Sequence, residues 1–242
     1  MSVLAVIPAR MGSVRLPRKN LLEIEPGLTL VQQAVNCALG CGLVDEIVVS
    51  TDETLLPVRS AHIRVRPAEL CGPSSDIAHA VRDAWQTASY RHDWVVTLQP
   101  AVLARSPLIL RTMLNHCMNW PGCSAISMAH TVPWIWQHEG MGDAAAPWLE
   151  DGVYPRSQDS ADHYAEVNAI TVAPAAAVAA GCRWSLPLAI ATLPSWAVAL
   201  DVDTPSDMVT ARGLWPWAKL ELETWVPAMR TIERIDGLAG AA

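Results

Sequence analysis

The chain has 242 residues, of which 51% are hydrophobic and 17% charged, with a formal net charge of −7. A mean hydropathy of +0.21 suits a folded chain with a sizeable core and excludes a disordered one. The acidic balance, with a pI of about 5.4, argues against a nucleic-acid partner, and no apolar stretch is long enough to predict a membrane span. The N-terminal MSVLAVIPAR has no basic leader followed by a long apolar run, and the six cysteines form no CxxC pair. Both features are those expected of a cytoplasmic protein with reduced thiols. Eleven Trp and no Phe predict that Trp fills core positions Phe usually holds.

Strand-like and helix-like segments alternate along the chain. SVLAVI (2–7) is a short apolar run entering a loop with Pro and Gly, the form of a buried parallel strand. Residues 28–42 carry apolar side chains at helical spacing and end in glycines that stop a helix. EIVVST (46–51) and HIRVR (62–66) read as strands, 75–88 as a helix, and DWVVTL (93–98) as a strand. Residues 106–120 read as a helix with Ser106 as N-cap and Pro107 in its first turn, followed by the strand CSAISMA (123–129). Between 133 and 156 the pattern dissolves into Trp, Pro, Gly and polar residues, predicting an irregular excursion. VNAITVA (167–173) and WAVALDV (196–202) read as late strands, and 205–215 and 218–235 as closing helices. The alternation predicts an α/β fold, a single domain over 1–242 with a doubly wound, mostly parallel sheet. Ligands bind such sheets beyond the carboxyl ends of the strands, which draws attention to the loops after Ile7, Thr51, Leu98 and Leu200.

The first of these loops, within IPARMGSVRLPRKN (7–20), holds Arg10, Arg15, Arg18 and Lys19 in an otherwise acidic chain. Guanidinium forks and an ammonium pair well with phosphate oxygens, and Gly12 lets the backbone donors around it and Ser13 approach an anion. A solvated basic loop is the alternative; the position after the first strand favours a polyphosphate. The pattern is neither GxxxxGK[ST] nor GxGxxG. Late in the chain, Asp201 and Asp203 stand two residues apart, so on a strand they share a face and can converge on one hard cation such as Mg²⁺. The same residues could instead open the following helix, with Asp203 or Thr204 as its cap.

IPARMGSVRLPRKNL resembles the opening signature of the sugar-acid cytidylyltransferases, a family that includes the CMP-N-acetylneuraminate synthetases and opens with something close to IPARxGSKxxxxKN. VVSTD (48–52), RPAEL (66–70) and SSD (74–76) resemble its next motifs. LQPAVLAR (98–105) resembles LQPTSPLR, RSQDSADHYAEVNAITV (156–172) resembles RxQxxPxxYxxNGAIY, and ALDVDTPSDM (199–208) resembles SIDIDTxxDL. The matches keep the family's order from residue 3 to about residue 211. The resemblance implies a Rossmann-like nucleotidyltransferase of glycosyltransferase-A type that uses Mg²⁺ to join CTP to a 2-keto sugar acid of the sialic-acid kind, releasing pyrophosphate. On it, Ala9, Arg10, Gly12, Ser13 and Asn20 bind the nucleotide, with Arg66 and Ser75 at its cytidine end. Arg10, Arg15, Lys19 and Asp203 form the catalytic set, and Asp201 with Asp203 holds the metal. Gln99, Arg105 and Arg156 contact the sugar acid, Arg156 by a bidentate pair with its carboxylate. Plainer roles for three of them are a surface arginine (Arg156), a loop tie (Gln99) and a helix cap (Ser75).

Family members are dimers, so 133–165 is expected to cross to a partner, and Trp134, Trp136 and Trp148 to form either a sugar platform or packing surface. LQPAVLAR lacks the acidic residue of the QGDEP loop of Kdo cytidylyltransferases, pointing to the acylneuraminate branch, whereas Val14-Arg15-Leu16-Pro17 resembles the Kdo branch. The chain departs from the pattern at three places: Val14 for Lys, Ala101-Val102 for Thr-Ser, and Val167-Asn168 for Asn-Gly. They leave open the same fold acting with another nucleotide or acid sugar, a glycosyltransferase using the DxD pair, or a catalytically inactive nucleotide-binding paralogue.

Overall fold

In the first strand, β1 (Val3–Pro8), the side chains Val3 to Ile7 are all fully buried. Such a run needs cover on both faces, and alternation splits it. Val3, Ala5 and Ile7 join the larger core, while Leu4 and Val6 join a smaller one on the opposite face. The computed structural model describes residues 1–72, 74–89, 91–131, 136–138, 145–147 and 163–233.

After β1 come a short hairpin, β2 (Glu23–Glu25) and β3 (Leu28–Thr29), then α1 (Leu30–Cys41), β4 (Glu46–Thr51), β5 (His62–Val65) and α2 (Ile77–Gln86). The middle of the chain holds β6 (Trp94–Leu98), α3 (Pro107–Asn119), β7 (Ser124–Thr131) and the small pair β8 (Trp136–His138) and β9 (Ala145–Pro147). Then follow β10 (His163–Pro174), α4 (Ala175–Ala179), β11 (Leu188–Leu193), α5 (Pro205–Thr224) and β12 (Met229–Ile232). Eight strands form one sheet in the order β12-β11-β7-β10-β6-β1-β4-β5. Pairings β1–β4, β1–β6, β4–β5 and β7–β11 are parallel; β10 inserts antiparallel between β6 and β7, and β12 pairs antiparallel with β11. The larger core lies under α1, α3 and α5, and α2 and α4 cover the other face. The expected α/β architecture with a mostly parallel sheet is the observed one. Trp85, Trp94 and Trp215 fill core positions, as the absence of Phe suggested.

Local signals place several ends. Thr29 caps α1 through Gln32 N, and Gly42 stops it at φ 73°, a left-handed turn that glycine adopts freely. Ser106 caps α3 through Ile109 N with Pro107 in the first turn. Four expectations are corrected. The helix read at 75–88 begins at Ile77, capped by Asp76 and not by Ser75. Residues 196–202 are not a strand; Ser195–Leu200 is a 3-10 turn after Pro194. β7 is flanked by β10 and β11, so it has no edge left to offer that segment. The two closing helices are one, α5, which runs through Pro216; the missing N–H there mimics a break in the sequence without causing one. The chain past α5 forms the edge strand β12 instead of continuing as helix to 235. Among the described residues no helix is long and apolar enough to cross a membrane. The excursion at 133–165 lies largely outside the described residues, as do Trp134, Trp148 and the side chain of Trp136.

Candidate active site

A cleft of about 300 Å³ opens beyond the carboxyl ends of the parallel strands. One wall is the loop after β1, with Arg10, Ser13, Arg15, Lys19 and Asn20. A second follows β5 and includes Arg66, Leu70, Gly72 and Ser75. The turn after β6, Gln99 to Ala101, and the lone late residue Asp203 close it.

The basic loop is held by contacts that leave part of its charge facing the cleft. Ala9 N donates to Ser50 O at 2.8 Å, Met11 N to Asp52 Oδ1 at 2.7 Å, and the buried Asn20 Nδ2 to Arg10 O at 2.8 Å. Arg18 adopts a left-handed backbone (φ 53°) before the turn Lys19–Leu21 and forks onto Glu53 at 2.6 and 3.0 Å. That bidentate pair removes Arg18 from the cleft. Arg10 Nη1 donates to Gly72 O at 2.7 Å and Cys71 O at 3.4 Å, joining the loop to the opposite wall. A Cβ on Gly12 would meet only Asp52 Oδ2 at 3.7 Å, so packing alone does not demand glycine there. Arg66 is buried, with Nε on Ser50 Oγ at 2.9 Å and Nη2 on Ser50 O at 2.7 Å; burial lowers its pKa, offset in part by Cys71 and Asp52.

Asp203 faces this loop. Lys19 Nζ donates to its Oδ1 at 2.7 Å and to Val202 O at 3.0 Å, and Arg15 Nη2 lies 2.7 Å from Oδ2. The hydrogen bond from Lys19, with the charges of Lys19 and Arg15, holds the Asp203 carboxyl below the usual carboxylate range. Partial desolvation first, and then the neighbouring Asp203, raise the Asp201 carboxyl above it, although the residue as a whole is exposed. The two carboxylates are presented by an extended stretch and not by a strand: Asp201 makes a single bridge with Val102, and Val202 N donates to Ala101 O at 2.9 Å. Thr204 then caps α5 in a capping box with Asp207, whose Oδ2 accepts from Asp203 N at 3.0 Å and Thr204 N at 2.7 Å. The capping reading of this motif holds for Thr204; neither aspartate side chain is the cap, and that of Asp203 meets Lys19 and Arg15 instead.

Carboxylate oxygens are the hard donors that Mg²⁺ prefers; Asp203 lines the cleft and Asp201, its neighbour two residues back, does not. Among the described residues no three His, Cys, Asp or Glu side chains converge as a ligand set. A cation here would draw its remaining ligands from phosphate and water, as Mg²⁺ commonly does.

Arg105 requires a correction. It is 1% exposed, it does not line the cleft, and its Nη atoms donate to the carbonyls of Gln99 (2.6 Å), Pro100 (3.3 Å) and Val102. It shapes the turn behind the cleft and is not placed to touch a substrate. Ser75 lines the cleft but its hydroxyl donates to Glu69 O at 3.0 Å. Gln99 lines it too, with its backbone taken up in the turn. Arg156 lies outside the described residues. The sequence reading passed over Asp52 and Glu53, which brace the loop; the VVSTD match ended on Asp52, and that was the available signal. Val14 and Ala101 both line the cleft, whereas Val102 is buried and does not.

The family model described as cytidylyltransferase matches residues 4–69, the span that carries the basic loop, Asp52 and Arg66. The CMP-N,N'-diacetyllegionaminic acid synthase of Legionella pneumophila is 31% identical over 159 residues, 62% of this chain and 68% of that one. The chain belongs to the cytidylyltransferase family. A 3-deoxy-manno-octulosonate cytidylyltransferase of Chlorobium chlorochromatii is 32% identical over 137 residues, covering 52% of this cytidylyltransferase and 50% of the relative. Among solved structures, a CMP:2-keto-3-deoxy-manno-octonic acid synthetase complexed with CTP superposes with a TM-score of 0.64 at 20% identity, covering 90% of this chain and 99% of that one. This likeness supports the shared fold.

Proposed function

We propose that this cytidylyltransferase activates a small 2-keto sugar acid, of the nine-carbon sialic-acid-like class, by transferring CMP from CTP to its anomeric hydroxyl with release of pyrophosphate. The observation that carries the reading is the meeting of Lys19 and Asp203 at 2.7 Å across 184 positions of sequence, inside a cleft at the strand ends. The name of the Legionella relative favours a nine-carbon acid, and that of the Chlorobium relative an eight-carbon one.

The chemical difficulty is bringing an anionic sugar to a polyanionic nucleotide. Arg15 and Lys19 share the single carboxylate of Asp203, which offsets part of their mutual repulsion and holds both in place. A triphosphate would compete for them, and Asp203, released from both cations, would with Asp201 be free to hold a divalent cation. Bound there, Mg²⁺ would offset charge on the phosphate oxygens. Arg10, Arg15 and Lys19 would neutralise charge that grows as the anomeric oxygen adds to the α-phosphorus. Arg10, tied to Gly72, and Arg66, tied to Ser50, would shape the cytidine end, with Ala9, Gly12, Ser13, Asn20 and Ser75 around them. Gln99 would meet the sugar, and Arg156 its carboxylate. A homodimer joined through 133–165 belongs to the same reading.

The test is pyrophosphate release with CTP, UTP, GTP and ATP against a panel of eight- and nine-carbon 2-keto acids, with Asp203→Asn as the control. Turnover restricted to CTP and a nine-carbon acid, lost in the control, supports the proposal. Thermal stabilisation by CTP with no turnover on any acid would overturn it in favour of a nucleotide-binding paralogue.

A further inference from the structure

On the side of the sheet covered by α1, α3 and α5, a second cavity of about 340 Å³ lies between α1, the start of α3, α5 and the β2–β3 hairpin. Three side chains on its wall each bear a polar atom without a partner among the described residues: Arg105 Nε, Trp215 Nε1 and Gln33 Oε1. The residues are 1%, 4% and 8% exposed, so bulk water does not satisfy these atoms. Buried polar groups are nearly always paired, and three unpaired on one wall imply an occupant. Arg105 adds a charge argument. Its Nη atoms are used on backbone carbonyls, no carboxylate pairs with it among the described residues, and burial lowers its pKa to about 10. The cavity also meets Ser106 and Pro107 at the first turn of the 13-residue α3, whose positive end favours an anion. Its rim carries Lys219, paired with Glu25 at 3.0 Å, and Glu223.

We propose that this cavity is a binding site for a small hydroxylated carboxylate, whose carboxylate accepts from Arg105 Nε and Trp215 Nε1 while its hydroxyl donates to Gln33 Oε1. Bridging waters would meet the hydrogen bonds but leave the buried guanidinium uncompensated. Arg105 connects the site to the cleft, because its remaining nitrogens hold the carbonyls of Gln99 and Pro100 in the cleft wall.

The test is calorimetric titration of the full chain with glycolate, D-lactate and D-glycerate, and with glycerol as the neutral control. Saturable one-to-one binding of at least one acid, absent for glycerol and weakened tenfold or more by Trp215→Phe and by Gln33→Leu, is expected. Absence of binding by all three acids overturns the proposal, as does binding that both variants leave unchanged, which would put the acid elsewhere. Should the variants not fold, the wild-type crystal structure grown with D-glycerate decides: a carboxylate on Arg105 Nε supports the site, and water alone overturns it. None of these readouts depends on the reaction in the cleft, so either assignment can fail without the other.

Discussion

Lys19→Met separates a catalytic from a structural role for the loop-to-aspartate contact. Lys19 is 17% exposed and makes two bonds, to Val202 O at 3.0 Å and to Asp203 Oδ1 at 2.7 Å, while Asp203 is 35% exposed and keeps Arg15 at 2.7 Å. Methionine retains the apolar stem and Asp203 keeps a partner. The folded protein therefore loses about 1 kcal/mol, a charge-assisted hydrogen bond discounted for solvent screening. For a chain of 242 residues that is a fall in Tm of about 2–4 °C. If Lys19 stabilises the charge that grows on the phosphates, its removal costs about 2.7–4 kcal/mol of barrier, ~10²–10³ in kcat. Initial rates of pyrophosphate release and thermal unfolding, measured on the same preparation, give both numbers. A rate within tenfold of wild type refutes the catalytic role. A drop in Tm well beyond 10 °C would show Lys19 to be a strut instead.

Arg10→Ala should weaken CTP binding by about 10–100-fold, the worth of a charge-assisted contact, because the side chain both faces the cleft and ties Gly72 O at 2.7 Å; equilibrium titration with an unchanged affinity would count against it. Asp52→Ala removes the acceptor of Met11 N and should lower kcat/KM by ~10²-fold through misplacement of the loop, whereas Asp52→Asn keeps an acceptor and should stay within about tenfold. Equal losses in the two variants would show that the charge of Asp52, and not its bracing, matters. Asp201→Asn should lower turnover by about tenfold or more and raise the Mg²⁺ concentration needed for half-maximal rate, because one of the two carboxylates proposed for the cation is lost; an unchanged Mg²⁺ dependence would contradict its assignment. Acid should destabilise the fold through Asp203, Asp207 and Glu46. Lys19 lowers Asp203 and the Thr204 hydroxyl lowers Asp207; burial alone would raise Glu46, but His92 and Ser89 outweigh it. Lowered folded-state values mean that the unfolded chain binds the extra protons. Stability present above the ordinary carboxylate range is thus lost as pH falls through the folded values. Unfolding scans from about pH 5 toward about pH 3 should show a falling Tm, and a flat profile would refute the assignment.

The parts of the fold legible in the sequence were those fixed by local physics. The unbroken apolar run of β1, the Ser106-Pro107 start of α3 and the Gly42 stop of α1 each act within a few residues, and each appears where it was read. The misreadings arose where a distant partner decides. The apolar 196–202 could pair as a strand only at a free edge, and β11 already occupies the one beside β7. β11 itself, Leu-Ala-Ile-Ala-Thr-Leu, has little alternation to announce it, being buried at four of its six positions. Pro216 looked like a helix break although the packed face of α5, with Met208, Ala211, Trp215, Ala218 and Leu222, runs straight past it. In the site, the loop cations were legible as a local concentration, but which of them remain for a ligand was not. Arg18 is taken by Glu53 and Arg105 by three carbonyls, and an arginine looks the same in sequence whether it meets solvent, backbone or substrate.

A crystal structure of the protein with CTP and magnesium is the most direct measurement. The account predicts triphosphate oxygens within hydrogen-bond reach of Arg10, Arg15 and Lys19, with Asp203 released from both cations and turned, beside Asp201, toward the metal. A nucleotide bound with the Lys19–Asp203 pair intact, or seated away from the loop after β1, would contradict it.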